Sequence, residues 1–197
     1  MAFHDVDGEA PSIVNASVTR TRNYLTAAEV ETLMAAARKL TRYGHRDATM
    51  TLIAYRHGLR ASELCDLQWH QVELNVGRLH VRRRKRGTPS VHPMQGDEIR
   101  ALRRLQREQG SRPHVFASER GGPMSPKSFG TLFARLGERA GMAFPIHPHM
   151  LRHACGYALA NAGHDTRALQ AWLGHRNIQH TVRYTELAPD RFKDFWR

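Results

Sequence analysis

Apolar residues recur at helical spacing through most of this chain, and that periodicity restricts the possible folds more than any other feature of the sequence. After the capping box at residues 26–29, a first amphipathic helix is predicted with Val30, Leu33, Met34, Ala37 and Leu40 on its inward face. Further helices are predicted over residues 46–57, from 60 through 67, and over 97–109, 125–140, 148–162, 166–173, 178–187 and 191–196. A length of 197 residues suits one compact domain.

Strand-like alternation with a period of two is confined to a single part of the chain. Residues 77–82 alternate, and the pattern resumes at residues 90–93, which predicts a β-hairpin with a basic turn from Arg83 to Arg86. The expected fold class is therefore α+β, mainly α, with a small antiparallel sheet. Residues 1–25 lack clear periodicity and are expected to form a flexible N-terminal arm, which leaves residues 26–197 as the domain.

The charge balance favours a polyanionic partner. The chain has 30 lysines and arginines against 18 aspartates and glutamates, a net charge of +12, and nucleic acid is the expected partner of such a protein. Only four of these cations are lysines, so most of the positive charge sits on arginine, which binds phosphate in a bidentate manner.

Several classes of protein do not fit the composition. No stretch approaches the run of about 18 apolar residues that crosses a bilayer, so no membrane partner is expected. The first residues are acidic rather than basic and apolar, unlike a secretory signal, and a cytoplasmic location is expected. Cys65 and Cys155 are too few for a disulfide scaffold or a cysteine-rich metal module and are expected to be buried apolar residues.

The residues that suggest chemistry occur in four segments with a fixed order. These are residues 58–64 (GLRASEL), the basic hairpin with Lys85, residues 147–153 (HPHMLRH), and residues 173–175 (LGH) followed nine positions later by Tyr184. The spacing of His149 and Arg152 places both on one helix face, where they could grip a phosphate. The same spacing recurs elsewhere in this arginine-rich and histidine-rich chain, so the order of the four segments is what carries the inference.

These segments together resemble the catalytic domain of the tyrosine recombinase (phage integrase) family, and residues 147–184 especially resemble the short fimbrial phase-variation invertases. The resemblance implies the catalytic-domain fold of that family and an enzyme that cleaves and rejoins DNA at specific sites, with inversion of a DNA segment as the expected outcome. It implies the catalytic set Arg60, Lys85, His149, Arg152, His175 and Tyr184. Neither a metal nor any other cofactor is expected.

The implied roles agree with the chemistry of each residue type. Arg60 and Arg152 are expected to stabilise the non-bridging phosphate oxygens in the transition state. Tyr184 is the expected nucleophile, and its 3′-phosphotyrosyl link would conserve the energy of the broken bond, so that rejoining needs no ATP. Lys85, crowded by arginines, is the expected proton donor to the leaving oxygen, because arginine is too weak an acid.

The remaining candidates are supporting or DNA-binding residues. His149 is expected to assist proton transfer at the tyrosine, and His175 to bond the scissile phosphate or act as a second base. Glu63 lies one turn after Arg60 and is expected to orient it. The hairpin arginines Arg82, Arg83, Arg84 and Arg86 are predicted to bind DNA.

The resemblance also concerns partners. It implies double-stranded DNA with short repeat sites and a homo-oligomer, expected to be a tetramer, on that DNA. Larger family members carry an additional N-terminal helical domain that 25 residues could not form, so accessory DNA-bending proteins are a further expected partner.

Three alternatives stay open at this point. The chain could be a DNA-binding transcriptional regulator on the same scaffold, or an enzyme that relaxes DNA like a type IB topoisomerase. A cluster of His147, His149 and His153 suggests a zinc site, although no carboxylate or cysteine lies near it in the sequence.

Overall fold

A computed structural model describes residues 22–83 and 87–186. Within these residues it contains eight α-helices and a three-stranded antiparallel sheet, which confirms the predicted fold class. The helices are α1 (Ala27–Leu40), α2 (Gly44–His57), α3 (Ala61–Cys65), α4 (Gly96–Gln109), α5 (Pro126–Arg139), α6 (His149–Asn161), α7 (Thr166–Leu173) and α8 (Gln179–Glu186). The strands are β1 (Val72–Glu73), β2 (Arg78–Val81) and β3 (Ser90–Pro93).

Helix α2 is the central element of the domain. It packs against α1, α4 and α6, and Met50, Ile53 and Ala54 on it are almost completely buried. Because other helices surround α2, its C-terminal end at Gly58 is buried inside the domain. The 58–64 segment therefore begins in the interior rather than at the surface.

Helix α1 begins as the sequence predicts, but its last residue is not buried as expected. The Thr26 hydroxyl accepts a hydrogen bond from the Glu29 N–H, and the Glu29 carboxylate accepts one from the Thr26 N–H, which completes the predicted capping box. Leu40 is not on the buried face, since 46% of it is exposed in the last turn of the helix. The core ends at Ala37, and the chain leaves the helix one turn later.

The sheet contains one strand that the sequence did not predict. Strand β1 pairs Val72 with Leu79 of β2, and β2 pairs Leu79 with His92 of β3. A strand of two residues is too short to show a period of two, so only the β2–β3 hairpin was visible in the pattern.

Two sequence boundaries also differ. Leu67 lies beyond the end of α3, although it is buried as expected. Residues 22–25 belong to the predicted arm, yet Leu25 is buried in the core and the Tyr24 ring lies 4.3 Å from that of Tyr157. The rest of the arm and the predicted helix over 191–196 lie outside the described residues.

A small second core holds the C-terminal helices together. It consists of Cys155, Ala160, Leu169, Leu173 and Tyr184, with Tyr157 and Trp172 packed against it. The predicted nucleophile therefore forms part of the hydrophobic core that joins α6, α7 and α8. None of the helices in the described ranges combines the length and the apolar character that crossing a bilayer requires.

Candidate active site

The turn after α2 places Arg60 beside the C-terminal end of α7. Gly58 has a left-handed backbone, with φ 57°, and a Cβ there would lie 2.5 Å from Leu173 Cδ2. The chain can therefore make this turn only with glycine. Arg60 then caps α3, and Glu63 accepts hydrogen bonds from the Arg60 N–H (3.0 Å) and Nη1 (2.7 Å).

Arg152 joins the ends of two helices from inside the domain. It is 1% exposed, and its guanidinium donates to the carbonyl of Gly58 at 2.5 Å and to that of Leu173 at 2.7 Å. Burial, together with repulsion by Arg60 and other nearby cations, lowers its pKa to about 10. Arg152 is still cationic at neutral pH and fixed in position.

The structure differs from the sequence prediction for Arg83. The side chain of this predicted DNA-binding residue is completely buried, and Nη1 donates to Glu63 Oε2 at 2.9 Å. Its Nη2 donates to the carbonyls of His57 and Trp172. Arg83 is thus bound inside the domain, whereas its neighbour Arg82 is exposed.

Tyr184 has its hydroxyl between two basic side chains. The residue is 1% exposed, and the hydroxyl oxygen lies 2.8 Å from His153 Nδ1 and 3.2 Å from Arg183 Nη2. Arg183 Nη2 also lies 2.8 Å from His153 Nδ1. Because a guanidinium can only donate, Nδ1 must be the acceptor, and the Tyr184 hydroxyl therefore donates its proton toward His153.

Glycine at position 156 lets the tyrosine approach α6 this closely. A Cβ on Gly156 would lie 2.7 Å from Tyr184 Cζ. Sequence reasoning missed both partners of the hydroxyl. The available signals were that His153 lies one helical turn after His149 and that Arg183 precedes Tyr184.

The two predicted catalytic histidines, His149 and His175, both lie near the hydrogen-bonded pair of His153 and Tyr184. His149 is the exposed first residue of α6, and its ring centroid is 4.5 Å from that of His153. The ring of His175 lies nearly parallel to that of Tyr184, with centroids 6.5 Å apart, and its Nδ1 is 2.8 Å from Thr181 Oγ1. Burial, followed by the charges of Arg152 and Arg60, lowers the pKa of His175 to about 3, so its ring is neutral at physiological pH.

Three residues of the predicted site belong to the turn of the hairpin. Lys85, Arg84 and Arg86 lie outside the described residues. The structure thus brings together Arg60, Glu63, Arg152, His175 and Tyr184, adds His153 and Arg183, and leaves the hairpin lysine as a prediction.

The histidines do not form a metal site in the described parts of the chain. Among residues 22–83 and 87–186, no group of three or more histidine, cysteine, aspartate or glutamate side chains is arranged to hold a metal ion. The zinc alternative therefore has no geometric support, and the His153 nitrogen faces Tyr184 instead.

The mainly helical domain and the arginine and histidine side chains around Tyr184 agree with the catalytic domain of a tyrosine recombinase, which the sequence resembles. The sequence profile of the phage integrase family matches residues 23–191, and the chain belongs to this family.

Three proteins illustrate the similarity, two of them matched over nearly their whole length. The chain is 44% identical over 181 residues to the type 1 fimbriae regulatory protein FimE of Escherichia coli (strain K12), covering 89% of this chain and 91% of FimE. It is 41% identical to FimB of the same strain over 187 residues, covering 92% of this chain and 93% of FimB. Tyrosine recombinase XerC of Xanthomonas campestris pv. campestris (strain B100) is 36% identical over 146 residues, which cover 73% of this chain and 45% of XerC.

Solved structures show the same fold. The crystal structure of XerA recombinase superposes with a TM-score of 0.75 at 25% identity and covers 88% of this chain. The Tn1549 transposon integrase in complex with transposon right end DNA superposes with a TM-score of 0.74 at 25% identity and covers 87% of this chain. The chain spans 63% and 64% of these two structures, which is less than two thirds of either.

Proposed function

We propose that this recombinase cleaves and rejoins DNA at specific sites through a covalent 3′-phosphotyrosyl intermediate on Tyr184. The observation that carries the proposal is the arrangement around Arg152, which binds both the Gly58 turn that leads to Arg60 and the Leu173 carbonyl that precedes His175. One buried guanidinium thereby fixes the segments that supply the other candidate phosphate ligands, next to the core that contains Tyr184.

The chemical step follows from the residues in this arrangement. The Tyr184 oxygen attacks phosphorus, the bond to the 5′ oxygen breaks, and the bond between Tyr184 and phosphorus replaces it. The phenol loses one proton, for which His153 is the proposed acceptor because it accepts the Tyr184 hydrogen bond. The leaving 5′ oxygen gains one proton, for which Lys85 is the proposed donor. Arg60 stabilises charge on the non-bridging oxygens, joined by Arg152 once DNA binding opens the site around its buried guanidinium, and attack by a 5′ hydroxyl reverses the step.

The burial of Tyr184 supports action within an assembly. Only 1% of the residue is exposed, so a phosphate in solution cannot reach its hydroxyl in this conformation. We propose that DNA and neighbouring protomers expose it, in a homo-oligomer that we expect to be a tetramer, with accessory DNA-bending proteins as further partners. The Tn1549 integrase was solved in complex with DNA, which supports DNA as the partner of this fold.

The fimbrial relatives support a more specific role. FimE and FimB are named as type 1 fimbriae regulatory proteins, and the chain matches more than nine tenths of each. We propose that this protein inverts a DNA segment between short inverted repeats in the cytoplasm and thereby changes the transcription of a neighbouring gene.

The experiment starts from the DNA that flanks the coding sequence. A plasmid that carries this region is exposed to the protein, and segment orientation is read by amplification across each candidate junction. A nicked duplex made from the crossover site then tests cleavage, because loss of the short strand beyond the nick prevents religation. The wild type should form a protein–DNA adduct that survives denaturing electrophoresis.

Two tyrosine variants make the test specific. Tyr184→Phe should form no adduct, whereas Tyr157→Phe should form it normally, although the Tyr157 ring lies 5.0 Å from that of Tyr184. A wild type that binds the crossover site but forms no adduct would contradict the proposal. Full regulation by Tyr184→Phe without rearrangement would instead indicate a transcriptional regulator, and relaxation of plasmids without any paired site would indicate a topoisomerase.

A further inference from the structure

Arg83 and Arg60 share one carboxylate inside the domain. Glu63 Oε1 accepts from Arg60 Nη1 at 2.7 Å, and Glu63 Oε2 accepts from Arg83 Nη1 at 2.9 Å. The side chain of Arg60 is 27% exposed, whereas those of Glu63 and Arg83 are 1% and 0% exposed. Only the arginine at the outer end of this row can reach a phosphate.

The row of charges is unequal, with two cations and one anion. The negative charge of Glu63 lowers the positive potential that Arg60 presents to DNA. With Arg83 on its second oxygen, the three groups together carry a net positive charge, and the exposed end of the row is Arg60. Burial opposes ionisation of Glu63, but the Arg60 hydrogen bond and the Arg83 charge still lower the pKa of this carboxyl.

Arg83 also holds the two segments that Arg152 joins. Its guanidinium donates to the carbonyls of His57 and Trp172, one residue before each of the Arg152 acceptors, Gly58 and Leu173. The fit is close, because a Cβ on Gly174 would lie 2.8 Å from Arg83 Cγ and Nε. Arg83 and Arg152 therefore both bind the C-terminal end of α2 and the C-terminal end of α7.

We infer that Arg83 is a positioning residue for DNA cleavage, which neutralises Glu63 from inside the domain so that Arg60 keeps its positive charge for the scissile phosphate. This inference rests on the proposed function and deepens it. Arg83 thus affects cleavage through Arg60, and not by the direct DNA contact that the sequence predicted. Its exposed neighbour Arg82 keeps the role of a candidate DNA contact.

The test compares two adjacent arginines that differ in burial. Arg83→Met keeps an unbranched apolar stem and removes the guanidinium with its charge, and Arg82→Met makes the same change on the surface. Adduct formation is followed on the nicked crossover duplex at saturating protein, beside DNA affinity over a range of salt concentrations. Arg83→Met should slow adduct formation about 10- to 100-fold, as the loss of a group that orients an active-site ligand does.

The same mutation should leave the salt dependence of DNA binding unchanged. Arg82→Met should instead weaken binding and reduce the slope of log affinity against log salt by about one. If Arg83→Met reduces that slope while cleavage at saturation stays normal, Arg83 contacts DNA directly and the inference is wrong.

A second substrate separates charge positioning from general damage to the fold. A methylphosphonate at the scissile position lacks one charged oxygen, so the positive charge of Arg60 matters less there. The deficit of Arg83→Met relative to wild type should therefore shrink by about tenfold on this substrate. An equal deficit on both substrates would refute the inference, because a structural defect does not depend on one substrate atom.

Two further variants cover the case in which Arg83→Met folds poorly. Arg83→Lys retains a charge near Glu63, and the double variant Arg83→Met/Glu63→Gln also removes the negative charge of the carboxylate. Both variants should cleave faster than Arg83→Met. If both are folded and neither cleaves faster than Arg83→Met, the inference is wrong. Wild-type protein that forms no adduct would contradict the proposed function instead, so the two failures are distinguishable.

Discussion

Replacing Gly156 with alanine should reduce cleavage, because the added methyl group displaces the Tyr184 ring. Alanine in the interior of α6 favours the helix by about 0.5–1 kcal/mol relative to glycine. Here, however, the new methyl group would lie 2.7–2.8 Å from three ring atoms of Tyr184. Carbon atoms pack at about 3.5 Å or more, so the ring must move by about 0.8 Å.

The expected magnitudes follow from that displacement. Overpacking in a core costs about 1–3 kcal/mol, and subtraction of the helix gain leaves the variant about 0–2.5 kcal/mol less stable than wild type. The bond from the Tyr184 hydroxyl to His153 is 2.8 Å long, and a shift of about 0.8 Å directly away from His153 would break it. Misplacement of a reacting group by about 1 Å can slow a reaction about 100-fold, which is the loss expected here.

The assay pairs urea denaturation with adduct formation on the nicked crossover duplex. The matched control is Gly130→Ala in α5, where a Cβ would meet nothing within 4 Å. That variant should be about 0.5–1 kcal/mol more stable and cleave at the wild-type rate. If Gly156→Ala is stabilised as much as the control and cleaves normally, the Tyr184 ring does not occupy this position in the active protein.

Two histidines give further predictions. His153→Phe removes the acceptor of the Tyr184 hydroxyl and should slow adduct formation about 10- to 100-fold at unchanged DNA affinity. The control His147→Phe, at an exposed position, should have little effect. If the two variants form the adduct at equal rates, the contact between His153 and Tyr184 does not contribute to cleavage. Burial, followed by the charges of His57 and Arg83, lowers the pKa of His92 to about 3 from 6.5. Because the unfolded chain binds this proton at a higher pH than the folded chain does, stability should fall as the pH drops from about 6.5 toward 3. In urea titrations, His92→Gln should reduce the slope of stability against pH by up to about 1.4 kcal/mol per pH unit. Identical slopes for wild type and variant would contradict this prediction.

Much of the fold could be predicted from the sequence because its elements are amphipathic and well capped. The Thr26 capping box, the glycine stop at residue 58 and the proline at the start of α5 each have a local physical cause, so the helices lie close to their predicted ranges. Strand β1 was missed because two residues form a strand only through pairing with a neighbour.

The candidate site was predictable to a smaller extent. The order of the four motif segments predicted the family, which the profile match confirms, and made Tyr184 the candidate nucleophile. The direction of each side chain could not be read in the same way. Arg82 and Arg83 look alike in a run of basic residues, although one is exposed and the other is bound to a carboxylate 20 residues earlier in the chain.

The sequence by itself determined the helical periods, the single hairpin and the spacing of a family motif, because these depend on neighbours within a few residues. Only the tertiary structure decided which of the basic residues touch one another. It buried Arg83 against Glu63 and joined His153 rather than His149 to Tyr184, since burial and hydrogen bonding depend on segments that meet across the fold. The charge of the site is therefore set by packing that no local pattern encodes.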